Sequence, residues 1–313
     1  VLKRALPRIQ SLCRNREDHR YDCASGSSSG PNIEDRTMTS SNAEQIEYWN
    51  SKAGQTWVAS QAGVDRMLEP LTALLLERAD AQDGERVLDV GCGCGDTTLQ
   101  IAQTGAAVWG IDISGPMLAR AEERAKELGL DNVAFSQTDA STQALTPDHD
   151  LILSRFGVMF FADPTEAFRN LRSGLSPQGR LCFLCWQPPR ANPWMSISGA
   201  AIMPFSTPPE TPPDPRAPGP FAFADKDYVS QILGDAGFSE IDVRSVTADV
   251  HIADNLDDAV ESQSRIGPMA RALAELEGEK RDEAIAAARE ALAAHVTDDG
   301  LDLGAACWLV YAR

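Results

Sequence analysis

Hydrophobic positions change rhythm near residue 80. Before it, Trp49, Trp57, Leu68, Leu71 and Leu74-Leu75-Leu76 recur at helical spacing, so residues 43–80 read as helix, with Pro70 at a start or a kink. After it, short apolar runs take over. Arg86-Val87-Leu88-Asp89-Val90, residues 107–112, Val133-Ala134-Phe135, Leu151-Ile152-Leu153-Ser154 and residues 179–186 each have the length and composition of a buried strand. Helical stretches at 97–102, 116–128 and 164–175 separate them, with Pro116 in a first turn where its missing N–H costs little. Strands alternating with helices predict a doubly wound α/β fold with helices on both faces of a parallel sheet. The pattern then breaks. Residues 187–224 are rich in proline, which disfavours both regular helix and central strand. Trp194, Met195, Met203, Phe205, Phe221 and Phe223 give this segment more apolar surface than a solvated loop needs, so it reads as a substrate lid rather than a plain surface excursion. A helix over 225–237, a strand over 242–246, one long helical stretch over 257–295 and a closing strand over 305–311 complete the pattern. Glu275, Glu277, Glu279, Lys280 and Arg281 form a solvated face of the long stretch.

Residues 1–42 stand apart. Lys3, Arg4, Arg8, Arg14, Arg16 and Arg20 precede a Ser/Gly-rich run, and Met38 precedes the globular pattern. The segment is expected to be a disordered or non-native tail. The remainder, 43–313, reads as one domain, with 187–224 and 254–296 as insertions on the substrate side. The 313 residues carry a formal net charge of -18, which repels phosphate backbones. No nucleic-acid partner is expected, although a local basic patch could assemble from distant residues. No apolar run approaches the roughly 20 residues of a membrane span. The seven cysteines are odd in number and several fall in strand-like runs, which suits a reducing cytoplasm. Cys182 and Cys185 form a CxxC, but in a strand they point to opposite faces and no second CxxC has zinc spacing, so no metal is expected. The oligomeric state is not legible.

Candidate chemistry gathers where the strands stop, because open α/β sheets bind ligands beyond their carboxyl ends. Gly91-Cys92-Gly93-Cys94-Gly95 follows the first strand. Glycines turn tightly and let a ligand approach, and the next helix offers unpaired N–H groups. Nicotinamide enzymes use a similar loop. Two features point away from them: Asp89 stands in the strand where a dehydrogenase has an apolar residue, and Asp96 puts a negative charge where pyrophosphate would bind. Both suit a cofactor bearing an ammonium and a sulfonium. Asp112 ends the second strand about 20 residues on, placed to accept ribose hydroxyls.

Val87-Leu88-Asp89-Val90-Gly91-Cys92-Gly93-Cys94-Gly95 followed by Gly110-Ile111-Asp112-Ile113-Ser114 resembles the class I S-adenosyl-L-methionine (SAM)-dependent methyltransferases, and among them the ubiquinone/menaquinone C-methyltransferase-like group of small-molecule enzymes. The resemblance covers roughly 44–313. It implies a seven-stranded Rossmann-like sheet with an antiparallel last strand. It also implies methyl transfer from SAM to a small-molecule acceptor by in-line displacement. Asp89 would then approach the methionine amino group, Gly91, Cys92, Gly93 and Gly95 would pass under the methionine and ribose, and Asp112 would hold the ribose diol. Ile113 and Met117 would pack near adenine, unless they are ordinary core. Thr138-Asp139-Ala140 matches the third-strand element, so Asp139 would bind the adenine amino group and Ala140 its ring through the backbone. Ser154-Arg155-Phe156-Gly157-Val158-Met159-Phe160-Phe161 matches the fourth-strand element, which in the family sits against the reacting methyl, and adds Ser154 and Arg155 to the cofactor side. The Asn/Asp-Pro-Pro-aromatic motif of amino-directed DNA methyltransferases is missing. No residue stands out as a general base. His149, His251 and Tyr48 are equally weak candidates, and Trp49 and Trp57 are either core or the cofactor mouth. A nicotinamide-dependent oxidoreductase and a non-catalytic SAM-binding protein stay open as alternatives.

Overall fold

Seven strands form one sheet in the order β3-β2-β1-β4-β5-β7-β6. The computed structural model describes residues 43–207, 211 and 214–313; the expected tail at 1–42, and Pro208, Pro209, Pro212 and Pro213 of the proline-rich segment, lie outside the described residues. The strands are β1 (Arg86–Val90), β2 (Ala107–Asp112), β3 (Val133–Gln137), β4 (His149–Arg155), β5 (Leu175–Trp186), β6 (Asp242–Ala253) and β7 (Leu301–Ala312). β7 runs antiparallel between β5 and β6, while β1 to β5 pair in parallel, as the α/β expectation required. Val87, Leu88, Leu151, Ile152 and Leu153 are all buried, as continuous apolar runs in a sheet covered on both faces must be.

Residues 43–50 are helical and lead into α1 (Lys52–Ala79). Then follow α2 (Asp96–Ala102), α3 (Gly115–Glu127), α4 (Pro164–Ser173), α5 (Pro193–Ile202), α6 (Lys226–Asp235), α7 (Leu256–Arg265), α8 (Pro268–Leu273) and α9 (Gly278–Ala293). Local chemistry sets their starts. Ser114 and Asp163 cap α3 and α4 by accepting from Met117 N and Glu166 N, and each helix carries proline in its first turn.

Four expectations need correction or narrowing. Pro70 does not start a helix; of the two placements expected for it, only the one inside a helix, here α1, is met. An interior proline costs about 3 kcal/mol, and burial of Leu68, Leu71 and Leu75 on both sides of it outweighs that. The proline-rich segment contains a regular helix, α5: Pro193 occupies its first turn and no proline follows until Pro204. The stretch 257–295 is three helices, broken at Gly267 (φ +92°) before Pro268 and again ahead of Gly278 (φ +53°). β6 and β7 are each 12 residues long, well beyond the apolar runs that announced them, because their outer halves alternate in exposure.

Asn192 fastens the start of α5 to the sheet. It is fully buried, donates from Nδ2 to Gln187 O (3.0 Å), and accepts from Ala306 N through Oδ1 (2.8 Å). Asn192→Ala leaves both backbone groups unpaired in the interior. We expect it to lower unfolding free energy by about 1–3 kcal/mol, read as a lower urea midpoint at unchanged slope. An unchanged midpoint would show that the two groups find other partners.

Candidate functional site

The chain leaves β1 through three left-handed glycines, Gly91 (φ +67°), Gly93 (φ +56°) and Gly95 (φ +83°), and enters α2 at Asp96. The end of β2 holds this turn in shape. Gly91 N and Cys92 N both donate to Ile111 O (2.8 and 3.1 Å). Asp112 accepts from Gly93 N (2.8 Å) through Oδ2 and from Ser114 N (2.8 Å) through Oδ1. Burial raises the Asp112 carboxyl above the ordinary carboxylate value, while the bonds from Ser114, Gly93 and Ile113 oppose the rise. Cys92 and Cys94 are free thiols, also raised by burial, Cys94 to about 11, so both are neutral at physiological pH.

The loop opens onto a cavity of about 1270 Å³. Gly91, Cys92, Gly93, Asp112, Ile113, Met117, Asp139, Ala140 and Arg155 border it, so nine of the twelve expected cofactor-side residues meet at one place. The other three stand behind the wall. Gly95 lets α2 approach α3: a Cβ there would lie 2.9 Å from Ala121 Cβ. Ser154 Oγ donates to Val90 O (2.7 Å) and accepts from Gly157 N (3.2 Å), tying the ends of β4 and β1 together. Asp89 is fully buried. Its Oδ2 accepts from Thr97 and Thr98 hydroxyls (2.6 Å each), while Oδ1 has no partner among the described residues. Burial pushes this carboxyl up, against the two threonine bonds.

Some wall residues are already engaged. Asp139 Oδ1 accepts from Ser141 N and Oγ (2.9 and 2.7 Å), and Ala140 O accepts from Asn170 Nδ2 (2.8 Å). Arg155 donates from Nη1 to Asp96 Oδ2 and Thr72 Oγ1, both at 2.6 Å, and lies 3.8 Å from Asp65. Arg124 meets the same two acids at 2.9 Å (Asp65) and 3.6 Å (Asp96), and also donates to Cys94 O (2.7 Å). Two acids and two arginines thus form a nearly buried, charge-balanced quartet joining α1, α2, α3 and β4. The Asp96 charge is therefore neutralised rather than bare, which weakens its use against a pyrophosphate ligand.

The N-terminal helices close the near side. Asn50 donates to Ile113 O (2.8 Å) and accepts from Gly115 N (3.0 Å), reading the turn after β2. Trp49 packs edge-on against Trp57 and Phe160, and both tryptophans border the cavity. The far side is aromatic. Phe156 stands in the left-handed region (φ 65°) and stacks on Trp186 at 4.0 Å, and Trp186 meets Trp194 at 5.2 Å. Phe221 and Met195 from 187–224 and residues 264–277 from the second insertion complete this chamber. Among the described residues no histidine borders it. His149 is buried at the start of β4, at the opposite end of that strand from Arg155, and bonded to Gly174 O, while His251 lies between Asp302 and Asp254; Tyr48 does border the cavity.

Residues 81–193 match the methyltransferase-domain family. Among curated relatives, an uncharacterized protein of Mycobacterium tuberculosis is 33% identical over 125 residues, 39% of this chain and 44% of that protein. Aklanonic acid methyltransferase DauC of a Streptomyces species is 29% identical over 181 residues, 55% of the chain and 78% of that protein. The chain therefore spans less than half of the first relative and most of the second. In fold, the chain is similar to phosphoethanolamine N-methyltransferase 2 of Haemonchus contortus, at a TM-score of 0.53 and 16% identity, covering 86% of this chain and 59% of that one.

Proposed function

We propose that this chain transfers the methyl group of SAM to a small, largely apolar acceptor, with 187–224 and 254–296 forming two sides of the acceptor chamber. One observation carries the reading: the glycine loop with Asp112 and the aromatic chamber built from Phe156, Trp186 and Trp194 open into the same cavity. The residues present fit the cofactor. Asp89, just behind the wall, has a buried carboxylate oxygen without a partner among the described residues, which suits an ammonium; Asp112 offers carboxylate lone pairs at the wall, which suit a diol. SAM would supply an electrophilic methyl on sulfur, so the protein's part is alignment and exclusion of water. Trp49, Trp57 and Phe160 would shield the methyl from solvent. Among the described residues no imidazole borders the cavity, so in this reading none of them supplies a histidine base to the acceptor. The Streptomyces relative's name supports a small-molecule acceptor, the net charge of -18 disfavours nucleic acid, and free thiols at the described cysteines suit a cytoplasmic location.

Asp89→Asn tests the reading. The amide oxygen can still accept from Thr97 and Thr98, but the negative charge is gone. SAM affinity is expected to fall by about 1.5–3 kcal/mol, the usual worth of a charge-assisted bond. Stability should move the other way. A carboxyl raised by burial contributes stability that is fully present below its unfolded value and lost as pH rises through its folded value. The variant should therefore melt above the parent at pH 7–8 and lose that advantage toward pH 4. Calorimetry with SAM and with NADH on both proteins checks it. Equal SAM affinity in parent and variant would sink the Asp89 assignment, and tight NADH binding would move the chain to the oxidoreductases.

A further inference from the structure

A small alcove of about 10 Å³ lies off the main cavity, and Trp194, Met195, Ile266 and Pro268 border both spaces. That volume is about what one oxygen atom occupies. Two polar groups meet at its wall. Trp194 is 9% exposed and Gln263 is 6% exposed, yet Trp194 Nε1 and Gln263 Oε1 both lack a hydrogen-bond partner among the described residues. The orientation of Gln263 is set, because its Nε2 donates to Trp194 O at 2.9 Å. Its Oε1 is therefore the free acceptor, and the indole N–H of Trp194, across the same alcove wall, is a free donor. Leaving such groups unmet in an apolar interior is unfavourable, so a ligand that satisfies both is favoured there. The adjoining cavity is bordered by Phe156, Trp186, Met195 and Ile266, apolar surface that an aromatic acceptor would cover.

We infer that the alcove is a specificity subsite for a hydroxyl group on an otherwise apolar, aromatic acceptor. This rests on the reading that the cavity takes SAM and a small acceptor. The donor–acceptor arithmetic selects the group. A carbonyl or ether oxygen can accept from Trp194 Nε1 but gives nothing to Gln263 Oε1. An ammonium can donate but cannot accept. A hydroxyl does both and is one heavy atom in size. The subsite sits between α5 and α7, one from each insertion, so it reads a substituent remote from the glycine loop and orients the acceptor.

The test compares 2-naphthol with 2-methylnaphthalene, a pair that exchanges hydroxyl for methyl at similar size. Binding is measured by calorimetry on the full chain saturated with S-adenosylhomocysteine. The parent is expected to prefer 2-naphthol by roughly tenfold. Trp194→Phe, which deletes the N–H, and Gln263→Met, which deletes the acceptor, should each bring the two probes to near-equal affinity. Thermal melting and S-adenosylhomocysteine affinity serve as fold controls, and Trp194→Phe alone decides if Gln263→Met does not fold. Equal binding of the probes by the parent, no binding of either, or a preference that survives Trp194→Phe would overturn the subsite and leave the alcove as a water site. A parent that fails to bind S-adenosylhomocysteine would instead defeat the reading of the cofactor site.

Discussion

A Gly91→Ala variant is expected to lose about 2–5 kcal/mol of stability and all measurable SAM binding, although only one methyl group is added. The backbone at Gly91 is left-handed (φ +67°), which costs an alanine roughly 1–2 kcal/mol. The surroundings add more. A Cβ at Gly91 would lie 2.8 Å from Gly157 Cα, backbone against backbone, and the reciprocal Cβ at Gly157 would meet Val90 O at 2.7 Å and Gly91 Cα at 2.9 Å. No side chain can swing aside there. The ends of β1 and β4 must separate, and overpacking of this kind costs about 1–3 kcal/mol. The separation would also pull on the bonds from Gly91 N and Cys92 N to Ile111 O that shape the loop. Gly129 supplies the control. Its φ is +66°, almost the same, but nothing lies within 4 Å of an added Cβ. Gly129→Ala should show the conformational cost alone and keep SAM affinity. If the two variants melt together, the contact with Gly157 carries no energy and the loop tolerates displacement.

Legibility in the sequence followed burial and distance along the chain. β1 and β2 were readable to the residue because apolar runs between glycines and polar turns leave little freedom in where a strand stops. The loop and Asp112 were readable because their chemistry is local: glycines that must turn, and an acid at a strand end. Gly157 was not singled out, since its reason for being glycine is Gly91, 66 positions earlier and just past the end of another strand. Asn50, Asp65 and Arg124 escaped for a related reason. Polar residues on a helix look alike in sequence whether they face solvent or, as here, the turn after β2 and a buried ion network. The break at Gly267-Pro268 was visible in principle, but the Ala- and Glu-rich composition around it favoured one helix. Gln263 lacked any local signal, because its partner Trp194 lies in the other insertion.

Arg155 carries the second large expectation. Arg155→Met keeps the length of the side chain and removes its charge. What remains is Asp65 and Asp96 sharing Arg124 alone, in a place where each acid side chain is less than a fifth exposed. Removing one partner from a buried ion network costs about 3–5 kcal/mol, because the charge left behind is neither solvated nor paired. Thr72 loses little, since its hydroxyl still donates to Leu68 O at 3.0 Å. The pH dependence has a definite sign. The Asp65 carboxyl is already raised, first by burial and then by Asp96, while Arg124 and Arg155 pull it down. Without Arg155 it rises further. A raised carboxyl stabilises the fold at pH below its unfolded value, near 3.9, and that contribution is lost as pH climbs through the folded value. The deficit of Arg155→Met should therefore be largest at pH 7–8 and narrow toward pH 4, as one acid takes up a proton. Adding Asp96→Asn should restore much of the loss, because Asp65 and Arg124 then remain as a single balanced pair. Urea midpoints of the parent, both single variants and the double variant, measured at pH 7.5 and pH 5, give the coupling directly. Additive losses that do not change with pH would mean that Arg155 acts through packing alone and that the quartet is not an electrostatic unit.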